Sequence, residues 1–332
     1  MADGEGARIA AVAFADARSA ERRIAGVAGA ARIVRRLAQA DYAEVRLVLP
    51  PGTSLSEAAW RDLRRLAGTT RVEIGRGEAP VAPAPVAGEA LIESAAQVLR
   101  ATGKASDGPV SRWLNRPLSR RISALLLLVP GIRPTHATVG TAVLALAMFA
   151  PLVGAGPPGL IAGALLYQAA PIFDGVDGEI ARATFRSSRS GAVLDSAVDV
   201  ATNFGFIAGL TLNLAQRGEE MATALSAWGF VLFAAGLALI AWRAARAHGP
   251  FSLDLVKHQY RRRFPGAAAG ALIRFLTIVS SRDFFALLFA LLVVAGLPLA
   301  VLWLVAAAAT TWILFVLGSI RLPLQAATAR AS

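Results

Sequence analysis

From Pro134 to the C-terminal region the chain is a succession of apolar segments, each close to the roughly 20 residues that a helix needs to cross a bilayer. Six are predicted, at 134–153, 159–180, 191–213, 222–242, 283–297 and 299–319, with Gly296 and Pro298 crowding the end of the fifth. At bilayer depth there is no water to bond backbone N–H and C=O groups, so such runs must fold as helices. The fold class expected is therefore mainly α: a six-helix transmembrane bundle, preceded by a small α/β cytoplasmic domain. The connections set its orientation. The loop after the second segment carries Arg182, Arg186 and Arg189, and the loop after the fourth carries Arg243, Arg246, Lys257, Arg261, Arg262, Arg263 and Arg274. The other loops are nearly free of Lys and Arg. By the positive-inside rule both basic loops, and both termini, face the cytoplasm of a multi-pass inner-membrane protein. The N-terminus, Met1-Ala2-Asp3-Gly4-Glu5, has no basic n-region followed by an apolar core, so no cleaved signal is expected there.

Composition narrows the partners. Only 17% of the 332 residues are charged, against about a quarter in soluble domains, yet the net charge is +12. The basic excess is mostly arginine flanking apolar runs, a pattern that sets topology and meets anionic lipid or phosphate. Aromatics lie inside the apolar runs and are not interleaved with a basic face, which argues against a nucleic-acid partner. There is no cysteine, which excludes disulfides and thiolate chemistry.

Three regions are expected: an α/β domain at 1–97, a linker with an interfacial helix at 98–130, and a transmembrane domain at 131–322. In the first, Arg8–Phe14 and Glu44–Leu49 read as buried strands on either side of a helix over Arg22–Ala40. Ser54 is placed to cap a helix ending at Leu66, Thr70–Ile74 reads as a third strand, Gly77–Gly88 as a linker or irregular loop, and Leu91–Ala101 as a helix. From Trp113 to Leu128 arginines alternate with apolar residues, as in a helix lying at the membrane surface.

The chemistry is carried by Asp174, Asp177, Gly178, Ala181 and Arg182, followed by Gly191, Asp195 and Asp199. On a helix the first five fall at i, i+3, i+4, i+7 and i+8 and share one stripe; the last three repeat every four residues and form a second. A short basic turn, Thr184–Ser190, joins the two helices as antiparallel neighbours. Four carboxylates converging in an apolar bundle are very costly unless compensated, and hard divalent cations are the natural compensation. Mg²⁺ or Mn²⁺, as two ions, would neutralise a pyrophosphate and stabilise an in-line displacement. The small residues Gly178, Ala181 and Gly191 let a nucleotide or a partner backbone come close. Glu179 lies off the stripe and is expected to face solvent or Arg182.

These eight positions match without a gap the signature D-x2-D-G-x2-A-R-x8-G-x3-D-x3-D, and the chain resembles the CDP-alcohol phosphotransferase family over roughly residues 105–320. The resemblance implies a homodimer that uses a CDP-linked donor and an alcohol or polyol-phosphate acceptor, with its active site at the cytoplasmic face of the lipid bilayer. It also implies roles: Asp174, Asp177 and Asp195 as metal ligands, and Asp199 as a ligand or the base that deprotonates the acceptor. Asp195 and Asp199 are thus the catalytic pair. Asp174, Asp177, Gly178, Ala181, Arg182 and Gly191 would hold the CDP moiety.

Upstream, Asp107–Arg112 and Leu114–Ile122 resemble the segment that joins a cytidylyltransferase to the membrane domain in the di-myo-inositol-phosphate-phosphate synthase branch. The family's Pro-Asn-x-x-Thr element stands here as Pro134-Thr135-His136-Ala137-Thr138. The N-terminal region is similar to that branch's nucleotidyltransferase in its strand–helix–strand rhythm. The glycine-rich nucleotide loop is replaced by Val12-Ala13-Phe14-Ala15-Asp16-Ala17-Arg18, so a catalytically dead remnant is expected; a small independent domain is the alternative. Arg116, Arg133, Arg186, Arg189, Arg261 and Arg282 are candidates for the acceptor's phosphate, and Arg282-Asp283 reads as an ion pair that orients the fifth helix. An ion-coupled transporter with buried acids is the competing class; it predicts discontinuous helices and an internal repeat.

Overall fold

The computed structural model describes residues 8–76, 83–104, 107–154, 156–246, 278–279 and 281–320. The described residues form two compact units. One lies within Met1–Ser106, Arg116–Thr138 and Gly175–Val193; the other lies within Asp107–Asn115, Val139–Asp174 and Leu194–Ser332.

In chain order the first unit begins with β1 (Ile9–Ala13), α1 (Ala17–Glu21), β2 (Arg23–Ile24), β3 (Val27–Ala28) and α2 (Gly29–Gln39). There follow β4 (Glu44–Leu49), α3 (Glu57–Leu66), β5 (Arg71–Arg76), β6 (Val86–Ala87), α4 (Gly88–Leu91), α5 (Ala95–Ala101) and α6 (Arg116–Leu126). β1, β4, β5 and β6 pair in parallel, in the order β5-β4-β1-β6. The alternation in β4 explains its place: Val45, Leu47 and Leu49 point inward, while Glu44 and Arg46 do not. α2 closes the core with Ala30, Ala31, Ile33 and Val34.

Four boundaries differ from expectation. The helix read over Arg22–Ala40 starts only at Gly29, because Arg23–Ala28 forms a two-stranded hairpin. Its turn residues, Ala25 and Gly26, have φ of 44° and 79°, the paired positive values of a tight hairpin turn. Helical spacing of apolar residues did not reveal a turn set by backbone dihedrals. The cap of α3 is Ser56, whose hydroxyl accepts from the Ala59 amide, and not Ser54. Part of the stretch read as a loop at Gly77–Gly88 forms β6 and begins α4, while residues 77–82 lie outside those described. The helix read at Leu91–Ala101 is two, with Ser94 and Gln97 forming a capping box at the second.

Between β1 and β6 the strand order reverses, the position at which open α/β sheets bind ligands. Here it is filled. The Phe14 ring lies where a side chain on Gly88 would be, 2.4–2.7 Å from an added Cβ, and the Glu89 carboxylate accepts the Ala15 amide at 2.9 Å.

The second unit is helical. α7 (Pro134–Gly154), α8 (Gly156–Ala183), α9 (Arg189–Gln216), α10 (Glu220–Arg246) and α12 (Pro298–Ile320) frame it, with α11 (Arg282–Val294) between the last two. Among the described residues five helices are long and apolar enough to cross a membrane, and the chain is a multi-pass membrane protein. The fifth predicted span instead forms α11, whose 13 residues reach about 20 Å, short of a bilayer core of about 30 Å. It stops at Ala295 because Gly296 takes a φ of 78° ahead of Pro298. Outward-facing Leu146, Val231 and Leu314 are exposed, as suits a lipid-facing surface. Inside, Tyr167 stacks on Phe206 with ring centroids 3.9 Å apart. Leu152 of α7 is wedged against Gly163 and Gly209, so α7, α8 and α9 approach closely through small residues.

Gly88→Ala is expected to destabilise the α/β domain by about 1–3 kcal/mol, since the new Cβ cannot coexist with Phe14. Phe14→Leu in the same chain should recover part of the loss. Thermal unfolding followed by limited proteolysis of the N-terminal region measures both.

Candidate active site

Antiparallel α8 and α9 carry the aspartates close to the short turn that joins them. In the second unit, one carboxylate oxygen from each of Asp174, Asp195 and Asp199 lies within 4.8 Å of the others, a group able to hold a metal ion. Arg282, at the start of α11, reaches into it. Its Nη1 lies 3.1 Å from Asp174 Oδ1 and also pairs with Asp199 Oδ1. The expected Arg282–Asp283 pair is thus replaced. Asp283 instead accepts from Asn115 Nδ2 at 2.6 Å, and Asn115 Oδ1 accepts from Gln168 Nε2 at 3.1 Å. This chain of bonds ties the first turn of α11 to α8, two turns before Asp174, and so aims Arg282 at the acids. Nothing in the local sequence around Arg282 announced that role, because the partners lie more than 80 residues away.

The donor set suits a hard divalent ion. Three carboxylates supply oxygen ligands, and the guanidinium among them shows how much positive charge the cluster requires.

Within the first unit, Asp177 is buried and its Oδ2 accepts from Thr138 Oγ1 at 2.7 Å, which gives the threonine of the Pro134–Thr138 element a definite contact. Gly178 leaves room for a side chain other than its own: the Arg182 guanidinium lies 3.0–3.1 Å from where its Cβ would be, while Arg182 Nε donates to Thr102 O at 2.8 Å. Gly191 is similarly close to Ser188, whose Oγ accepts the Gly191 amide at 3.0 Å. Ala181, one turn from Gly178, is partly buried.

Two sequence expectations are corrected here. Glu179 faces neither solvent nor Arg182: it is fully buried, accepting from Ser119 Oγ at 2.6 Å, Ser123 Oγ at 2.7 Å and Arg116 Nη1 at 3.3 Å. Arg116, expected to meet the acceptor's phosphate, is itself buried as the counter-charge of Glu179 and also bonds Gly175 O at 3.4 Å. Its position within an interfacial run of arginines disguised it as one more surface cation. Arg133, Arg186 and Arg189 are exposed, and Arg261 lies outside the described residues.

The end of α8 is held from the α/β domain. Arg32 of α2 donates to Ala183 O at 2.5 Å as well as to Ile24 O and Ala25 O, and Arg65 of α3 donates to Thr184 O at 2.9 Å and Phe185 O at 3.3 Å. Both satisfy carbonyls that a helix C-terminus leaves unpaired, and both place positive charge at its negative end. Burial pushes the Arg32 guanidinium down to about 10, far enough above neutrality that it keeps its charge.

The family model for CDP-alcohol phosphatidyltransferase matches residues 132–316, more than half of the chain, and the chain belongs to that family. It is similar to proteins named bifunctional IPC transferase and DIPP synthase. The one from Aquifex aeolicus is 36% identical over 148 residues, 45% of this chain and 32% of the relative. The one from Thermococcus kodakarensis is 36% identical over 163 residues, 48% and 34% respectively. The one from Archaeoglobus fulgidus is 39% identical over 121 residues, 35% and 23%. The chain spans about a third of the length of the first two.

Glu179→Gln leaves the Arg116 guanidinium buried without its counter-charge, and a loss of about 3–5 kcal/mol is expected in thermal melts of the detergent-solubilised protein. Arg282→Gln removes the cation that competes for Asp174 and Asp199. Mn²⁺ titration calorimetry of that variant should show affinity raised by about tenfold, equivalent to about 1.4 kcal/mol.

Proposed function

We propose that the chain is a membrane transferase that moves the phosphate-linked group of a CDP-activated donor to the hydroxyl of an alcohol acceptor and releases CMP. The observation that carries this reading is the convergence of Asp174, Asp195 and Asp199 around Arg282, on helices that bear the family's complete aspartate motif. The acceptor oxygen attacks the phosphorus that bears the donated group, and the bond from that phosphorus to the bridging oxygen of CMP breaks. Asp199 takes the acceptor's proton, and Asp174 and Asp195 serve as metal ligands. Magnesium or manganese, as two ions held by these carboxylates and by Asp177 as the family motif implies, would neutralise the pyrophosphate as it parts. By the same motif Asp174, Asp177, Gly178, Ala181, Arg182 and Gly191 hold the CDP moiety.

The donor is CDP-diacylglycerol or CDP-inositol, and the acceptor an inositol phosphate or a related polyol or lipid. The Leu114–Ile122 segment and the names of the similar proteins favour an inositol-related substrate. Arg282 is suited to the anion of either substrate, being a guanidinium already fixed among the reacting carboxylates. We further read the chain as a homodimer, with termini and active site on the cytoplasmic side. Its α/β domain is a degenerate nucleotidyltransferase whose remaining task is to hold the end of α8; the filled crevice at Phe14 and Gly88 and the grip of Arg32 and Arg65 support that reading.

CMP release from labelled CDP-diacylglycerol or CDP-inositol, with Mg²⁺ or Mn²⁺ and candidate alcohols, tests the reaction. Asp195→Asn and Asp199→Asn should each lower the rate by about 10²-fold or more, and a chelator should abolish it. Release that is absent with every donor, or unchanged in both variants, would sink the reading.

A further inference from the structure

Away from the aspartates, the first unit contains a cavity of about 190 Å³ that the transferase reading does not use. Its walls are of two kinds. Leu99, Leu127 and Leu128 make one side apolar, whereas Arg23 from the β2–β3 hairpin and Arg186 from the turn after α8 supply guanidinium groups. The loop that closes it, residues 129–132, runs directly into α7, the first of the helices able to cross a membrane. That connection places the cavity at the level where a bilayer surface begins. Next to it Leu125, Leu128 and Val129 are 67%, 77% and 53% exposed and form an apolar lip.

The charges at this cavity are out of balance. Arg23 bonds Gly26 O at 2.6 Å and pairs with Asp62 at 3.4 Å, and Arg65 shares the same carboxylate at 3.4 Å. Arg186 donates to Ile132 O at 3.3 Å. Burial, and then the like charges of Arg65, Arg133 and Arg23, pull the Arg186 guanidinium below its usual pKa, against the opposing pull of Asp62. Four guanidinium groups thus share the field of one carboxylate, and an added anion would relieve them. Arginine forks match the oxygens of a phosphate, and the apolar lip would accept the chain of a lipid that carries it.

We propose that this cavity is a second binding site, for a phosphate ester, and that the membrane supplies it as the headgroup of an anionic lipid. Arg23 and Arg186 hold the phosphate oxygens, and Leu125, Leu128 and Val129 meet the first carbons of the acyl chains. The proposal does not rest on the transferase reading, since its readout is binding. In native mass spectrometry of the full chain titrated with phosphatidylglycerol, the wild-type protein should retain lipid at a concentration at least about tenfold lower than the R23Q/R186Q double variant, a floor for the loss of two hydrogen bonds to a charged group. Phosphatidylcholine should show no such difference. Arg186→Gln alone, in an exposed turn that tolerates the change, should show part of the loss, and Asp195→Asn should bind as the wild type does. Arg121→Gln, an exposed arginine of α6 that does not line the cavity, controls for general surface charge. Glycerol 3-phosphate that binds the wild type but not R23Q/R186Q, in place of the lipid, would uphold the site and assign it to a soluble ester. Equal retention of both probes by wild type and R23Q/R186Q, or a loss in Arg121→Gln as large as in the double variant, would overturn the proposal.

Discussion

Carboxylates on helices of a membrane protein are tolerable only where something answers their charge, and much of this structure is organised by how each one is answered. Glu179 is met by a buried arginine and two serine hydroxyls, all from α6. Asp177 is met by the hydroxyl of Thr138 at the start of α7. Asp174 and Asp199 are met by Arg282 of α11. The first two arrangements serve to fix α6 and α7 against α8. The third is different in kind. Three carboxylates close on one another with a guanidinium among them, a donor set that suits a divalent ion, and the short helix that delivers Arg282 is secured through Asp283, Asn115 and Gln168. A cluster that is rigidly framed is suited to changing its partner without changing its shape.

The same logic gives the α/β domain a place. With its ligand crevice filled by Phe14 against Gly88, the sheet no longer offers the opening that such folds use. Its helices nonetheless send Arg32 and Arg65 onto the last carbonyls of α8, the helix that carries Asp174 and Asp177. Helix termini fray where their carbonyls find no donor, so two arginines there stiffen the turn into α9.

How far this was legible in the sequence depended on the range of the interaction. β4 was read to the residue, because alternation along Glu44–Leu49 is a local signal of burial. The two aspartate stripes were visible because spacing on a helix dictates which residues share a face. Long-range partners were not visible. Glu179 looked like a surface acid because its spacing removes it from the aspartate stripe, yet Ser119 and Ser123, four residues apart on α6, make a second polar stripe that faces it. The pairing of Arg282 with acids on α8 and α9 involves sequence separations no local pattern encodes. The fifth span failed for another reason: hydropathy counted Ala295, Gly296 and Leu297 as membrane, while a glycine at positive φ ended the helix before them.

An ion-coupled transporter would arrange the same residue types differently. Its acids would be strung along a path through the bilayer, and helices would break at the ion site so that backbone carbonyls could serve as ligands. Among the described residues α8 and α9 run unbroken past their aspartates. Among the described residues, Glu179 and Asp177 accept from Ser, Thr and Arg donors, and Asp174, Asp195 and Asp199 close on one another. All of them fall in the last three turns of α8 or the first three of α9, near one end of the antiparallel pair. Acids gathered at one end of a helix pair, with a guanidinium fixed among three of them, differ from acids strung along a path.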